Sequence, residues 1–232
     1  MPDLTAKLIE IYQLGDEIAG VLDLPQELWP APGQYLPAQR LSDESEILPT
    51  YLFQVIGDSA GLSIAPLPAG WMPGETLGLL SPRGHGFSLP ETARRVALLA
   101  LGVSPARLLT LAAPALAQDA AVALFCDPMP QADLLSRVPT IIEASPLSTF
   151  QDDLDWPDFL AVDLPLEELP RLDDMLLGVP LGFEGQALIR AAMPCHGLGE
   201  CGVCSVKTRH GWRLACLDGP VFPLSEALNV AR

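Results

Sequence analysis

Basic residues are scarce in this chain: 13 Lys and Arg stand against 29 Asp and Glu, a formal net charge of −16 over 232 residues. A surface that acidic has no field to attract a phosphate backbone or an anionic lipid, so neither nucleic acid nor a membrane surface is an expected partner. Long apolar runs are missing too. No stretch approaches the ~18 uninterrupted apolar residues of a membrane span, so no membrane insertion is expected. The opening MPDLTAKLIEIYQLGDE lacks the basic and apolar regions of a secretory signal, which makes a cytoplasmic location the expectation. Histidine is rarer still, with only His85, His196 and His210. No Ser-His-Asp or metalloprotease pattern can be assembled from them, and any catalysis is expected to be redox.

What the chain does have is apolar content, 49%, enough to bury a sizeable core without staples. Residues 4–12 (LTAKLIEIY) alternate apolar and polar side chains up to the turn signal Gly15-Asp16, and IAGVLDL follows, which reads as strand, turn, strand. Short apolar runs recur at 50–56, 62–67 and 75–81, punctuated by Pro32-Gly33 and Pro73-Gly74, and this spacing predicts an antiparallel β-barrel over 1–91. From 92 to 180 the texture changes. RRVALLAL and AVALFC read as buried strands, PARLLTLAAPALAQ between them as a helix, and TIIEAS and DFLAVDLP as further strands ahead of the leucine-rich EELPRLDDMLL. That is the pattern of an α/β, Rossmann-like nucleotide-binding-type domain with a parallel sheet. The remainder, 181–232, is a small segment rich in glycine and cysteine. The expected fold class is therefore α+β and multi-domain.

Cysteine is concentrated: four of the five lie within 22 residues, as Cys195, Cys201, Cys204 and Cys216, in the spacing C-x5-C-x2-C-x11-C. Four thiolates can ligate the two irons of a [2Fe–2S] cluster, and this spacing approaches the plant-type C-x4-C-x2-C…C arrangement with one residue inserted. Gly197, Gly199 and Gly202 would let the loop wrap a bulky core and aim N–H groups at its sulfurs. A structural zinc site also takes four cysteines, but zinc ribbons present two C-x2-C knuckles and Cys216 stands alone. A disulfide framework would spread its cysteines through a small domain. His196 is a conceivable alternative ligand, and Cys126, ending a buried strand, reads as a core cysteine.

The C-terminal run MPCHGLGECGVC followed by CLDGPVF resembles the electron-transfer subunit of the heterodimeric dihydroorotate dehydrogenases, iron–sulfur flavoproteins of ferredoxin-reductase-like build. PGQYL (32–36), PGETLGLLSPRGHGFSLP (73–90) and LGVSPARLL (101–109) are similar to that family's motifs, in the same order. The resemblance implies an electron-transport role in pyrimidine biosynthesis: electrons pass from NADH to FAD, then singly through the cluster to the FMN of a partner flavoprotein in a hetero-oligomer. It also implies cofactor contacts. Thr50, Tyr51, Arg83, Gly84 and Gly86 fall at or near the FAD motifs, and Gly102 in the nicotinamide-nucleotide turn. The departures are specific. Where the family has R-x-Y-S or R-P-F-S, this chain has LPTYLF without the arginine, leaving Arg40 or Arg83 to meet the pyrophosphate. The family's G-G-G-x-G run has become LLALGVSP, and its C-G-P has become AVDLP, so NAD is not expected to bind in the usual way. Two further readings stay open, a nucleotide-free iron–sulfur docking or assembly subunit and a zinc-stabilised interaction module.

Overall fold

The computed structural model describes residues 3–42, 48–57, 61–179, 182–195 and 197–228. Six strands close into a barrel: β1 (Leu4–Leu14), β2 (Glu17–Asp23), β3 (Tyr35–Arg40), β4 (Thr50–Gln54), β5 (Leu62–Ala65) and β6 (Thr76–Leu79), in the order β1-β2-β5-β4-β3-β6. All neighbours are antiparallel. The alternation read in 4–12 turns Ala6 and Leu8 inward, where they meet Leu22, Leu36, Leu52, Leu62, Ile64, Leu77 and Leu79. Full burial of such a side chain is worth about 1.5–3 kcal/mol, so this ring favours the closure.

Strand β3 is not among the runs read from the sequence, and it contains Pro37, a residue that ordinarily argues against a strand interior. Pro37 is tolerated for a local reason. Its carbonyl accepts the N–H of Leu80, just past the end of β6, and the β3–β6 ladder begins only at Ala38. The missing donor of Pro37 therefore falls where the neighbouring strand has already stopped.

The second layer is a six-stranded sheet. Its strands are β7 (Arg95–Leu101), β8 (Ala121–Asp127), β9 (Glu143–Pro146), β10 (Phe159–Pro165), β11 (Glu184–Arg190) and β14 (Val221–Pro223), in the order β14-β11-β10-β7-β8-β9. The first five are parallel and β14 is antiparallel to β11. Val96 through Leu101 are buried without a break, as expected of a parallel strand covered on both faces. Three short helices serve the sheet: α1 (Ala112–Ala117), α2 (Ala132–Leu135) and α3 (Leu169–Met175). Between β11 and β14 stands the hairpin β12 (Ser205–Thr208) and β13 (Gly211–Leu214), and α4 (Leu224–Ala227) ends the described chain.

Two expectations need correction. The helix expected over 105–118 is a 3-10 turn, Leu108–Leu111, followed by α1. This break places Pro114 in the first turn of α1, where a backbone N–H has no intrahelical partner to lose. The strand expected from Thr140 begins only at Glu143. The N–H of Ile142 closes a turn on the carbonyl of Pro139 instead, and Ile141 projects into solvent.

Barrel and sheet are joined by buried charge. Arg107, 1% exposed, pairs with Glu17 on β2 and with Asp163 on β10 at 3.4 Å. Arg190 at the end of β11 meets Asp163 at 3.0 Å and Glu17 at 3.6 Å. The Arg107 guanidinium also lies 5.7 Å from the centre of the Phe53 ring on β4. Two cations against two anions leave no net buried charge, the condition under which such a network is tolerated.

Candidate iron–sulfur centre

Beyond Arg190 the chain leaves the sheet, is anchored by the buried Met193, and turns into the cysteine loop. Gly197, Gly199 and Gly202 all adopt positive φ, +73°, +75° and +69°. At Gly197 the loop crosses Tyr35 so closely that a Cβ would stand 2.6 Å from the Tyr35 hydroxyl, and a Cβ on Gly199 would overlap Leu217. Glycine is therefore required at both by conformation and by space. The return segment is pinned by hydrogen bonds from Ala215 N–H to the Cys204 carbonyl at 3.0 Å and from Asp218 N–H to the Leu214 carbonyl at 2.8 Å.

The four thiols fall into two contacting pairs, Cys195 with Cys201 and Cys204 with Cys216. Cys204 and Cys216 are buried, Cys195 is half-buried and Cys201 is exposed. Among the described residues no three His, Cys, Asp or Glu side chains stand ready as a single-ion site. His196, the conceivable alternative ligand, lies outside the described residues. At Cys195 burial would raise the thiol, but hydrogen bonds from the Cys201 side chain and from the N–H groups of Cys201, Glu200 and Gly199 outweigh it and lower it to about 6. Cys216 is pushed up to about 12, first by burial and then by Cys204. The loop thus offers a thiolate with inward-pointing N–H groups at its open edge, the environment that sulfur-bound iron needs. Cys126 is fully buried, and burial pushes its thiol up to about 12.

Beneath the loop lies a residue that the sequence reading left without a role. Tyr35 is fully buried and its hydroxyl donates to the Cys216 carbonyl at 3.1 Å. Its ring packs edge-on against Tyr51, with centroids 5.3 Å apart, and tilted against Phe53 at 6.1 Å. The 81–87 turn clamps the far side. The N–H of His85 reaches the Gly219 carbonyl at 2.6 Å, its Nδ1 lies 2.9 Å from the Asp218 carbonyl, and Tyr35 and Arg83 exchange backbone hydrogen bonds. Gly84 packs so that a Cβ would stand 2.5 Å from Pro220, and one on Gly86 would stand 2.7 Å from the Pro32 carbonyl. These two glycines face the chain itself. Arg83 lines a cavity of about 430 Å³ together with Arg40, Pro37, Ala38 and Leu198. Thr50 and Tyr51 pair with Ala38 and Pro37, one strand away from it.

Gly102 ends β7 at φ +67°. The sheet order reverses between β7 and β10, and in open α/β sheets ligands bind in the crevice at such a point. There the Gly102 N–H is taken by the Asp127 carbonyl at 2.6 Å.

Residues 191–227, spanning all four clustered cysteines, match the iron–sulfur cluster binding domain of dihydroorotate dehydrogenase B. The chain is also similar to a dihydroorotate dehydrogenase B electron transfer subunit over part of its length. The subunit from Clostridium perfringens (strain 13 / Type A), named as the NAD(+) type, is 26% identical over 163 residues, which are 64% of this chain. They span 65% of that relative, just under two thirds of its length. Among solved structures, an NADH-dependent reduced ferredoxin-NADP oxidoreductase studied for flavin-based electron bifurcation superposes with a TM-score of 0.71 at 17% identity, covering 94% of this chain and 87% of its own. The flavohemoglobin of Malassezia yamatoensis, solved with FAD and heme, gives 0.56 at 15% identity over 82% of this chain and 60% of its own. At these identities the likeness establishes a ferredoxin-reductase-like fold. No helix among the described residues is long and apolar enough to cross a membrane.

Proposed function

We propose that this chain is an electron-transfer subunit that carries a [2Fe–2S] cluster on Cys195, Cys201, Cys204 and Cys216 and exchanges single electrons with a partner flavoprotein, of the dihydroorotate-oxidising kind that serves pyrimidine biosynthesis. The observation that carries this reading is the pairing of three cysteine thiols on a glycine-turned loop with Cys216 on the segment that returns after the β12–β13 hairpin, in a stretch matched by the cluster-binding domain. When bound, such a cluster supplies one-electron transfer without proton movement. The residues around it do the rest. Buried Cys204 and Cys216 hold one side away from water, backbone N–H groups of residues 199–201 face the Cys195 side, and Tyr35 fixes the peptide of Cys216. On the rim around exposed Cys201 stand Leu198, Val203 and Leu217, each a little over half exposed, with exposed Glu200 beside them. That rim is where a partner brings its own redox group close.

The three stretches 1–91, 92–180 and 181–232 act on this reading as barrel, α/β layer and cluster segment. On this reading FAD is met at the barrel by Arg83 and Arg40, in place of the absent motif arginine, at the 430 Å³ cavity that they line beside Asp3, with Arg40 also paired to Glu75 at 3.6 Å. Thr50 and Tyr51 flank that site. The packing of Gly84 and Gly86 against the chain favours the alternative of a flavin-free docking subunit holding the same cluster.

The test is an absorption spectrum of anaerobically purified chain, with iron, sulfide, zinc and flavin measured on the same sample. Two irons and two sulfides per chain with visible bands that bleach on dithionite are expected. Releasable FAD separates the flavoprotein from the docking subunit, and a colourless protein with one zinc overturns both.

A further inference from the structure

The nucleotide crevice of the α/β layer is present in outline and wrong in charge. A cavity of about 580 Å³ opens at the carboxyl ends of β8 and β9 against α3, one strand over from the β7–β10 switch point where a dinucleotide would be expected. A pyrophosphate there needs free N–H donors and a positive field. The Gly102 and Ala106 donors and the cations beside them are already engaged. The Gly102 N–H is spent on the Asp127 carbonyl, and the Ala106 N–H lies 3.4 Å from the Ser104 hydroxyl that accepts it. Arg107, the nearest cation along this turn, points inward to Glu17 and Asp163. Glu168 lies over Gly102, its Cγ 3.0 Å from where a Cβ would be, so the one glycine left in the turn is covered by a carboxylate side chain. Arg171 spans the crevice mouth, but it is engaged by Asp127 and, at 3.4 Å, by Glu168. With Asp174 also lining the cavity, three carboxylates face one guanidinium and leave two net negative charges. A pyrophosphate brings roughly one further negative charge per phosphate.

We infer that this crevice does not bind a nicotinamide dinucleotide, so that this chain exchanges no hydride with one and hands the partner flavin's electrons on singly to a one-electron acceptor. This rests on the cluster reading above. The balance follows from the partner's reaction: dihydroorotate oxidation leaves two electrons and the protons on the partner, and each electron passes singly from its flavin to the cluster, reducing it by one, and on to an oxidised one-electron carrier. The cluster itself takes up neither hydride nor proton.

The full cluster-loaded chain tests this in two arms. NADH and NADPH are titrated to about 1 mM, a range in which only binding stronger than about −4 kcal/mol would register, with nucleotide fluorescence and cluster absorbance followed together. Photoreduced methyl viologen, a one-electron donor, is added to a parallel sample. Bleaching by viologen, with neither saturable nucleotide binding nor bleaching by NADH, is expected. Saturable binding of either nucleotide, or cluster bleaching by NADH, overturns the inference and leaves the cluster reading standing. A chain that viologen fails to bleach overturns the cluster reading and this inference with it.

Discussion

Replacing Tyr35 by phenylalanine removes one oxygen and isolates the bond that ties the barrel to the cluster loop. The Tyr35 hydroxyl is the hydrogen-bond donor to the Cys216 carbonyl. Burial, followed by the Cys216 thiol and Tyr51, pushes its pKa well above the ordinary tyrosine value, so it stays a protonated donor throughout the working pH range. In Tyr35→Phe the ring and its packing on Tyr51 and Phe53 remain, and the carbonyl loses this donor in a buried site. Leaving a buried acceptor unpaired costs about 1–3 kcal/mol. Taking about 2 kcal/mol, and about 2–4 °C per kcal/mol for a chain of this length, Tm falls by about 4–8 °C. The same 2 kcal/mol acts on local opening of the loop, so iron loss to a chelator accelerates by up to roughly 30-fold. Thermal denaturation and chelator-driven bleaching measure the two effects on one preparation. Wild-type Tm together with wild-type iron retention would refute the argument that this hydroxyl holds the loop.

Arg107→Met leaves Asp163 and Glu17 facing Arg190 alone in a dry joint, and breaking a buried pair in this way costs about 3–5 kcal/mol; urea unfolding should show that loss, whereas a change below about 1 kcal/mol would mean the joint is wetter than its burial indicates. Asp158 is held below the usual carboxylate range by the side chain of Arg95, and Asp133 by the N–H of Gly15. Both are depressed in the folded state. Their contribution is therefore complete above the unfolded value of about 4 and is lost as pH falls through the lower folded values. Denaturation midpoints from pH 7 to 2 should fall in that acid window, and Asp158→Asn with Asp133→Asn should flatten the fall.

Much of this architecture is legible because it is written in local periodicity. The alternation in β1 and the unbroken apolar run of β7 each report the burial of one strand, and the cysteine spacing reports a loop that must close on itself. What was illegible depends on contacts far apart in sequence. Pro37 hides β3 because only the position of β6 shows that its missing N–H costs nothing. Tyr35 and Cys216 are 181 residues apart, Arg107 and Asp163 are 56 apart, and Arg171 and Asp127 are 44 apart. No window along the chain brings those groups together. The closed crevice was half legible, since lost glycines are visible in LLALGVSP, but the carboxylate over Gly102 comes from Glu168 on the far side of β10.

The glycines of SPRGHGF carry a second lesson about motifs, because the same residue type serves nucleotide approach in one protein and packing in another. Here PGQYL, SPRGHGF and CLDGPVF meet in one interlock. A Cβ on Gly33 would stand 2.6 Å from Val221 and 2.9 Å from Phe87, and one on Gly84 would stand 2.7 Å from the Gly219 carbonyl as well as against Pro220. Gly84 also sits at φ +76°, where a side chain costs about 1–2 kcal/mol before any clash is counted. Gly84→Ala must therefore push on the segment that follows Cys216, and the clash with backbone and a proline ring cannot be relieved by a rotamer change. The expected result is a cluster that is lost faster to chelator, with flavin content per folded chain unchanged. If Gly84 instead lets a flavin phosphate approach, the variant loses flavin first and keeps its iron. Measuring iron and flavin on the same sample separates the two roles.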